Sequence, residues 1–469
     1  MTAIEADYLV IGTGAAAMAF VDTLLSERPD AVVAMADRHH RPGGHWNDAY
    51  PFVRLHQPAH WYGVGSREFI GDVKDTVGFN AGHYALASGA EVLAYYDQVM
   101  QQRFLPSGRV RWLPMSEYGA GPDGGHRVTS LISGAAQEVR VRRKLVDARH
   151  ARTEVPSTRP PAYRSSGGVC CLPVNQLPSI TRPYAAYTVV GSGKTGIDAC
   201  LWLLENDVPP ERIRWIMPRD AWLLDRANFQ PGPENFERNM ARTANQFDAI
   251  VEAGSVDDLF ARLEALGLLM RIDPGVTPRT YRCATASRGE LAQLRRIRDI
   301  VRMGRLQAVE PTRLVLEQGT LPADPDTLYV DCSASAIRTP PNLSVFDGDT
   351  VNLLAVRTCQ PVFSAALIAY VESHFGDDAE KNALCSVVPT PEHPVDWLRM
   401  WLVTLVNAAR WRQNPALNAW LTQSRLNMTG VMMRGVDFED PAHAARMQAN
   451  ALKSAASVPK LLGLLAGKA

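Results

Sequence analysis

Apolar positions come in two short bursts near the start of the chain. Tyr8-Leu9-Val10-Ile11 has strand character, and Gly12-Thr13-Gly14-Ala15-Ala16-Ala17 follows at once. Beyond it Ala17, Phe20, Val21 and Leu24 recur at helical spacing. A second apolar run, Ala31 to Ala36, stops at Asp37. The pattern predicts strand, helix, strand. It returns in the middle of the chain. Tyr187-Thr188-Val189-Val190 leads into Gly191-Ser192-Gly193-Lys194-Thr195-Gly196. Ile197, Cys200, Leu201 and Leu204 then share a helical face, and Arg212 to Met217 reads as the next strand.

Between and beyond these bursts the pattern is weaker. Glu91 to Phe104 predicts an amphipathic helix. Arg109 to Asp147 shows short alternating runs split by Gly-rich turns, which predicts a β-meander against the first sheet. Ala151 to Pro183 is rich in Pro, Ser and Gly and reads as a crossover between domains. Phe247 to Leu268 and Arg288 to Met303 predict helices of the second domain. From Pro389 to Ala469 the chain turns helical and Trp-rich, with Trp397, Trp401, Trp411 and Trp420 at spacings that fit a packed face.

Each glycine-rich burst fits the βαβ dinucleotide fingerprint, GxGxxG or GxGxxA. Gly12 permits the tight turn, and Gly14 has no Cβ to keep a pyrophosphate from the backbone. The helix N-terminus offers free N–H groups to phosphate. Asp37 lies 23 residues past Gly14, where a carboxylate can accept bonds from ribose hydroxyls. The second fingerprint closes differently. Arg219 lies 26 residues past Gly193, with no acid at the strand tip. A guanidinium there can pair with a 2′-phosphate, which favours NADPH over NADH. Lys194 can add charge near the phosphates or point to water. An ATP-binding P-loop is excluded, because Thr188 stands where that motif needs glycine.

Composition narrows the field. Lys+Arg and Asp+Glu are both 49 of 469 residues, so no whole-chain field favours nucleic acid or an anionic membrane. No stretch of eighteen apolar residues suggests a membrane span, and no leader pattern precedes the first strand, so the cytoplasm is the default location. The seven Cys are scattered, which argues against a disulfide framework. No His/Cys/Asp cluster has metal-ligand spacing.

After Asp37 comes Arg38-His39-His40-Arg41-Pro42-Gly43-Gly44-His45-Trp46. With that segment the chain resembles the two-dinucleotide flavoproteins, in particular the flavin-containing and Baeyer–Villiger monooxygenases. The resemblance implies an α/β fold of two Rossmann-like, glutathione-reductase-type domains, one inserted in the other. The FAD domain would take residues 1–150 and 325–388, the NADPH domain 151–324, and a helical extension 389–469. Tyr329-Val330-Asp331, with the small residues Ser333 to Ala336 after it, would be the strand that re-enters the FAD domain.

The resemblance also assigns residues. Gly12, Gly14, Ala15, Asp37, Arg38, Gly44, His45 and Trp46 would line FAD. Gly191, Ser192, Gly193, Lys194, Thr195 and Arg219 would hold NADPH. Thr358-Cys359-Gln360-Pro361 would open a helix aimed at the flavin pyrimidine edge, with Gln360 bonded there. His56 and Gln57 would pass beside the flavin ring as the catalytic candidates. His56 is open to two readings, a general acid or base near neutral pH or a satisfied buried histidine. Gln57 departs from the Asn usual in that family.

The implied function is an NADPH-dependent monooxygenase that reduces FAD and passes one oxygen from O2 to a small organic substrate through a C4a-(hydro)peroxyflavin. The alternative is an FAD-dependent NAD(P)H reductase or dehydrogenase without oxygen transfer. A third reading is a non-catalytic flavoprotein that binds a partner through its Trp-rich helices. Those helices could equally cap the active site or form a homodimer surface.

Overall fold

The computed structural model describes residues 3–121, 125–150, 154–334, 339–340, 342–437 and 439–467. The first unit runs β1 (Ile4–Ile11), α1 (Ala15–Glu27), β2 (Val33–Ala36), α2 (Gly89–Val99) and β3 (Val110–Leu113), followed by β4 (Ser116–Ala120), β5 (His126–Ser130) and β6 (Ala136–Asp147). β1 pairs in parallel with β2 on one side and β6 on the other, and β3 extends the sheet in parallel past β2. A sheet covered on both faces needs near-continuous apolar strands, and Val33, Ala34 and Met35 are each 0% exposed.

The chain crosses through β7 (Arg164–Ser165) and β8 (Cys170–Pro173) to the second unit, β9 (Ala186–Val190), α3 (Lys194–Glu205) and β10 (Ile213–Ile216). β11 (Ala221–Asp225), α4 (Phe236–Glu252), α5 (Val256–Ala265), β12 (Leu269–Met270) and β13 (Thr280–Ala286) form an insertion with its own three-stranded sheet. The unit resumes with α6 (Arg288–Leu294), β14 (Asp299–Val301), β15 (Leu306–Glu310), β16 (Arg313–Leu316), β17 (Gly319–Pro322) and β18 (Thr327–Asp331).

The chain then returns through β19 (Phe346–Asp347) and β20 (Thr350–Asn352) to α7 (Pro361–His374). Last come α8 (Asp378–Leu384), α9 (Pro394–Gln413), α10 (Pro415–Gln423), α11 (Met428–Met432) and α12 (Pro441–Leu465).

The two parallel sheets have matching strand orders. The first reads β3-β2-β1-β6-β20 and the second β14-β10-β9-β18-β8. In each, the strand before the glycine loop lies at the centre. α1 packs against α7 over the first sheet, and Phe20 and Phe363 vanish into that contact. Each such side chain contributes roughly 1.5–3 kcal/mol.

Several sequence expectations are corrected. The strand ending at Asp331 does not re-enter the first sheet. It pairs in parallel with β9 and β8, so it closes the second unit. Ser335 and Ala336 lie outside the described residues, as does 151–153 at the start of the crossover. The helix expected over Arg288–Met303 stops at Leu294, because Ile300 and Val301 pair in parallel with β10. Val110–Leu113 belongs to the parallel sheet and not to the meander, which β4, β5 and β6 form alone. Cys283 and Cys359 form one disulfide, a single cross-link and not a framework, which leaves five free thiols.

The Trp-rich extension is built into the core. Trp411 donates from Nε1 to the Leu384 carbonyl at 2.7 Å and meets Phe363 edge-on. Trp397 sits in a cluster with Phe260 and Tyr281 of the insertion. Among the described residues no helix is long and apolar enough to cross a membrane.

Candidate active site

Among the described residues, six of the twelve helices begin on a side-chain cap, at Ser88, Ser255, Ser287, Asp377, Asn414 and Asp440. Such a cap satisfies one of the free first-turn N–H groups. α1, α3 and α7 have none. Neither do α4, which continues a preceding turn, and the five-residue α11. The two fingerprint helices and the helix after Gln360 therefore present first-turn donors that no side chain caps.

In the first loop, Gly14 and Gly44 touch. A Cβ on Gly44 would stand 2.7 Å from Gly14 Cα, so the second loop lies directly on the first. It is the missing side chain of Gly44 that lets the two loops touch. Asp37 accepts from Thr13 N and Oγ1 at 2.5 and 2.9 Å through Oδ2. His39 N and Nδ1 reach Oδ1, both at 2.8 Å. Both carboxylate oxygens are thus engaged by neighbours in the chain. A ribose hydroxyl would have to share or displace one of these bonds.

Burial pushes the Asp37 carboxyl up, but His39 and Thr13 hold it below its ordinary value. The bond to Asp37 lifts His39 to about 9 against the pull of burial, with help from Asp48 at 2.9 Å. Arg38 sits outside this group, in an exposed pair with Glu117. His45 stacks on Trp46, whose Nε1 donates to Tyr62 OH at 2.8 Å.

In the second loop, Gly191 (φ +127°) passes under β18, where a Cβ would meet Cys332 O at 2.8 Å. Its carbonyl accepts from Trp215 Nε1 at 2.7 Å. Nothing lies within 4 Å of a Cβ built on Gly193, so this loop opens to free space where the first is covered. Lys194 pairs with Asp198, which also accepts from Tyr50 OH of the first unit at 2.7 Å. Arg219 pairs with Glu392 at 2.9 Å, and Arg282 reaches the same carboxylate at 2.8 Å. Two guanidiniums thus share one acid beside a cleft that Arg282, Thr390, Glu392 and His393 line.

A cavity lies where the first unit, the insertion and the extension meet. It encloses about 610 Å3 of empty space, its open mouth included. The first unit contributes Gln57, Thr358, Cys359 and Gln360. The insertion adds Phe229, Arg242, Gln246, Tyr281 and Cys283, and the extension Trp397, Trp401 and Met428. The Cys283–Cys359 disulfide is part of its wall. Thr358 Oγ1 and Gln360 Oε1 are buried and have no partner. Gln360 Nε2 finds only Met428 Sδ, at 3.6 Å. Gln57 Oε1 accepts from Trp61 Nε1 at 3.4 Å.

Gln57 and Gln360, 303 positions apart in sequence, line one cavity, and Gln360 is the residue from which α7 starts. His56 does not line it. Burial, with Lys194 and Arg226 nearby, pushes its imidazole down to about 3. His56 is therefore neutral at neutral pH, with Nδ1 buried and unpaired. Of the two readings, the lowered value disfavours the acid or base, and the unpaired Nδ1 is not that of a fully satisfied buried histidine. Arg242 could not be found by reading along the chain. It has no motif around it, and only its place in the cavity singles it out. Among the described residues no group of three or more His, Cys, Asp or Glu could hold a metal ion.

Two Rossmann-like units of matching strand order, one threaded through the other, with a cavity at their meeting point, define the architecture of the two-dinucleotide-binding flavoproteins. The chain is 52% identical over 426 residues to the uncharacterized protein Rv2000 of Mycobacterium tuberculosis and to Mb2023 of Mycobacterium bovis, covering 91% of this chain and 78% of each relative. It belongs to the family of these mycobacterial proteins. No protein-family model matches it.

Among solved structures, a flavin-containing monooxygenase from Stenotrophomonas maltophilia is 16% identical over 87% of this chain and 99% of its own, at a TM-score of 0.43. A steroid monooxygenase bound to NADP is 15% identical over 97% and 98%, at 0.49. A bacillithiol disulfide reductase from Bacillus cereus is 11% identical over 79% and 99%, at 0.44. Likenesses this distant decide nothing about chemistry, which has to come from the chain's own geometry.

Proposed function

We propose that the chain is an FAD-dependent NADPH oxidoreductase of the monooxygenase kind, acting on a small organic substrate in the cavity. The observation that carries this reading is the meeting of Gln57 and the unpaired Gln360 Oε1, which stands just before the uncapped α7, in one cavity walled by the insertion of the second nucleotide unit. Bound FAD would supply the redox chemistry, accepting hydride from NADPH and activating O2.

The residues present fit that group. The first-turn N–H groups of α1 suit its pyrophosphate. The start of α7 suits a ring edge that gains negative charge on reduction, and Gln360 Oε1 is a free acceptor there. Gln57 would be the polar side chain for the ring's other edge, with neutral His56 next to it in sequence but outside the cavity lining. In the second unit, α3 would take the NADPH pyrophosphate, while Arg219 and Arg282 would share the 2′-phosphate with or in place of Glu392. Phe229, Trp397 and Trp401 would keep water from the reacting centre.

One observation favours a second reading, a reductase without oxygen transfer. The cavity disulfide is itself a two-electron acceptor: two electrons and two protons convert Cys283–Cys359 to two thiols.

Anaerobic reduction by NADPH followed by O2, watched by flavin absorbance, separates the readings. A monooxygenase leaves the thiol count unchanged under anaerobiosis and shows a lag between O2 uptake and peroxide release. A gain of two alkylatable thiols per chain before O2 enters, with no lag afterwards, sinks the oxygen-transfer reading.

A further inference from the structure

The cavity's substrate class can be narrowed by a charge the fold leaves unbalanced. Arg242 lines the cavity from the middle of α4. Its Nε is shut away from solvent and has no partner. One Nη donates to the neighbouring Thr243 Oγ1 at 3.0 Å, and the guanidinium lies 5.2 Å from the centre of the Phe229 ring. No carboxylate among the described residues pairs with it. The three acids of α4 are all taken, Glu237 by Arg446 at 2.6 Å, Asp248 by Lys453 at 2.5 Å and Glu252 by Arg262 at 2.7 Å. Burial alone pulls the guanidinium down to about 10, and no acid opposes it.

A half-buried cation without a counter-charge is a cost to folding. Arg357 shows how the chain deals with one that is structural. It donates to Asn427 Oδ1 at 2.5 Å and lies 4.1 and 4.9 Å from the Phe363 and Trp411 ring centres, outside the cavity. Arg242 has one ring, a weak local bond and an unpartnered Nε, and it lines the cavity. The remaining wall is largely apolar, with Leu263, Leu268, Leu269, Tyr281, Trp397 and Trp401.

We propose that the cavity takes an organic acid, an apolar ring or chain bearing one carboxylate, and that Arg242 holds the carboxylate. The inference rests on the reading of this cavity as the substrate site. A carboxylate there supplies the missing counter-charge and forms charge-assisted bonds to a guanidinium pre-positioned on a helix. The apolar body fills the aromatic end. A dinucleotide phosphate could offer the same anionic oxygens, so the test separates the two sources.

Calorimetry on the purified, cofactor-loaded protein would use phenylacetate, cyclohexaneacetate and octanoate, each against its own amide. At least one acid is expected to bind once per chain and at least tenfold more tightly than its amide. In Arg242→Gln the acid should fall to the affinity of the amide, while the amide itself shifts less than twofold. Arg242→Lys should keep part of the preference. The acid–amide comparison on the parent protein stands even if a variant folds poorly.

The proposal is overturned if no acid exceeds its amide tenfold, or if the preference survives in Arg242→Gln. It is also overturned if that variant loses NADP+ binding and not acid binding. Binding needs no turnover, so failure of the oxygen-transfer reading would appear in the O2 experiment and leave this result standing.

Discussion

Asp37 and Arg219 stand at corresponding places, each just past the second strand of its nucleotide unit, yet they are held in opposite ways. Asp37 is buried, and its partners Thr13 and His39 come from the same unit. Arg219 is 40% exposed, and its partner Glu392 lies 173 positions further on. The phosphate loops differ in the same sense. Gly44 covers Gly14, while Gly193 faces open space. The first unit is closed by its own residues and suits a group that stays bound. The second is open and completed by a distant segment, which suits a nucleotide that arrives and leaves.

The largest way to break that comparison is at the last fingerprint position. Ala17 carries its Cβ in a fully buried place, but a Cβ on Gly196 would collide with the Gly191 carbonyl. Gly196→Ala is expected to cost about 3 kcal/mol through overpacking. The loss should fall on the second unit and spare flavin retention by the first. Denaturant unfolding followed by flavin release and by Trp fluorescence reads both. Equal loss in both units would mean that they fold as one.

A smaller effect tests the closure of the first unit. His39 has a folded value of about 9 against an ordinary 6.5. A raised value means the folded chain binds the proton more tightly, so the stabilisation is complete below pH 6.5 and lost as pH climbs through 9. The partly exposed pair should contribute about 2 kcal/mol. Melting temperature should fall over that window in the parent chain and be flatter in His39→Gln. Parallel profiles would show that the ring carries no charge.

The smallest effect sharpens the second unit's dependence on its distant partner. Glu392→Gln frees both Arg219 and Arg282 of an acid, so NADPH should bind about two- to fivefold more tightly, in line with the weak energy of an exposed ion pair. Arg219→Ala should narrow the preference for NADPH over NADH. If NADPH binding is indifferent to both changes, the 2′-phosphate is read elsewhere.

What could be read in the chain beforehand follows the same divide. Gly12–Asp37 and Gly191–Met217 announced themselves because strand, turn and helix are local in sequence. Thr327–Asp331 was assigned to the wrong sheet because a short apolar run does not say which neighbours it will pair with. The ties of Arg219 to Glu392 and of Cys283 to Cys359 span 173 and 76 positions and leave no local trace. Gln57 and Gln360 were named from the resemblance, but the other walls of their cavity come from the insertion and the extension. Arg242 stood out only once the partners of Glu237, Asp248 and Glu252 were known.

The Cys283–Cys359 bond also has a kinematic consequence. One end is rooted in the insertion of the second unit and the other in the turn that starts α7 of the first, with the two Cα atoms 6.7 Å apart. Two bodies joined at a point can swivel about it but cannot slide past it. The bond therefore adds one covalent tie at the cavity wall to the contacts, Tyr50 to Asp198 among them, that already join the two units. While the bond is intact, the insertion cannot slide past the start of α7, so the two sides of the cavity wall stay in register.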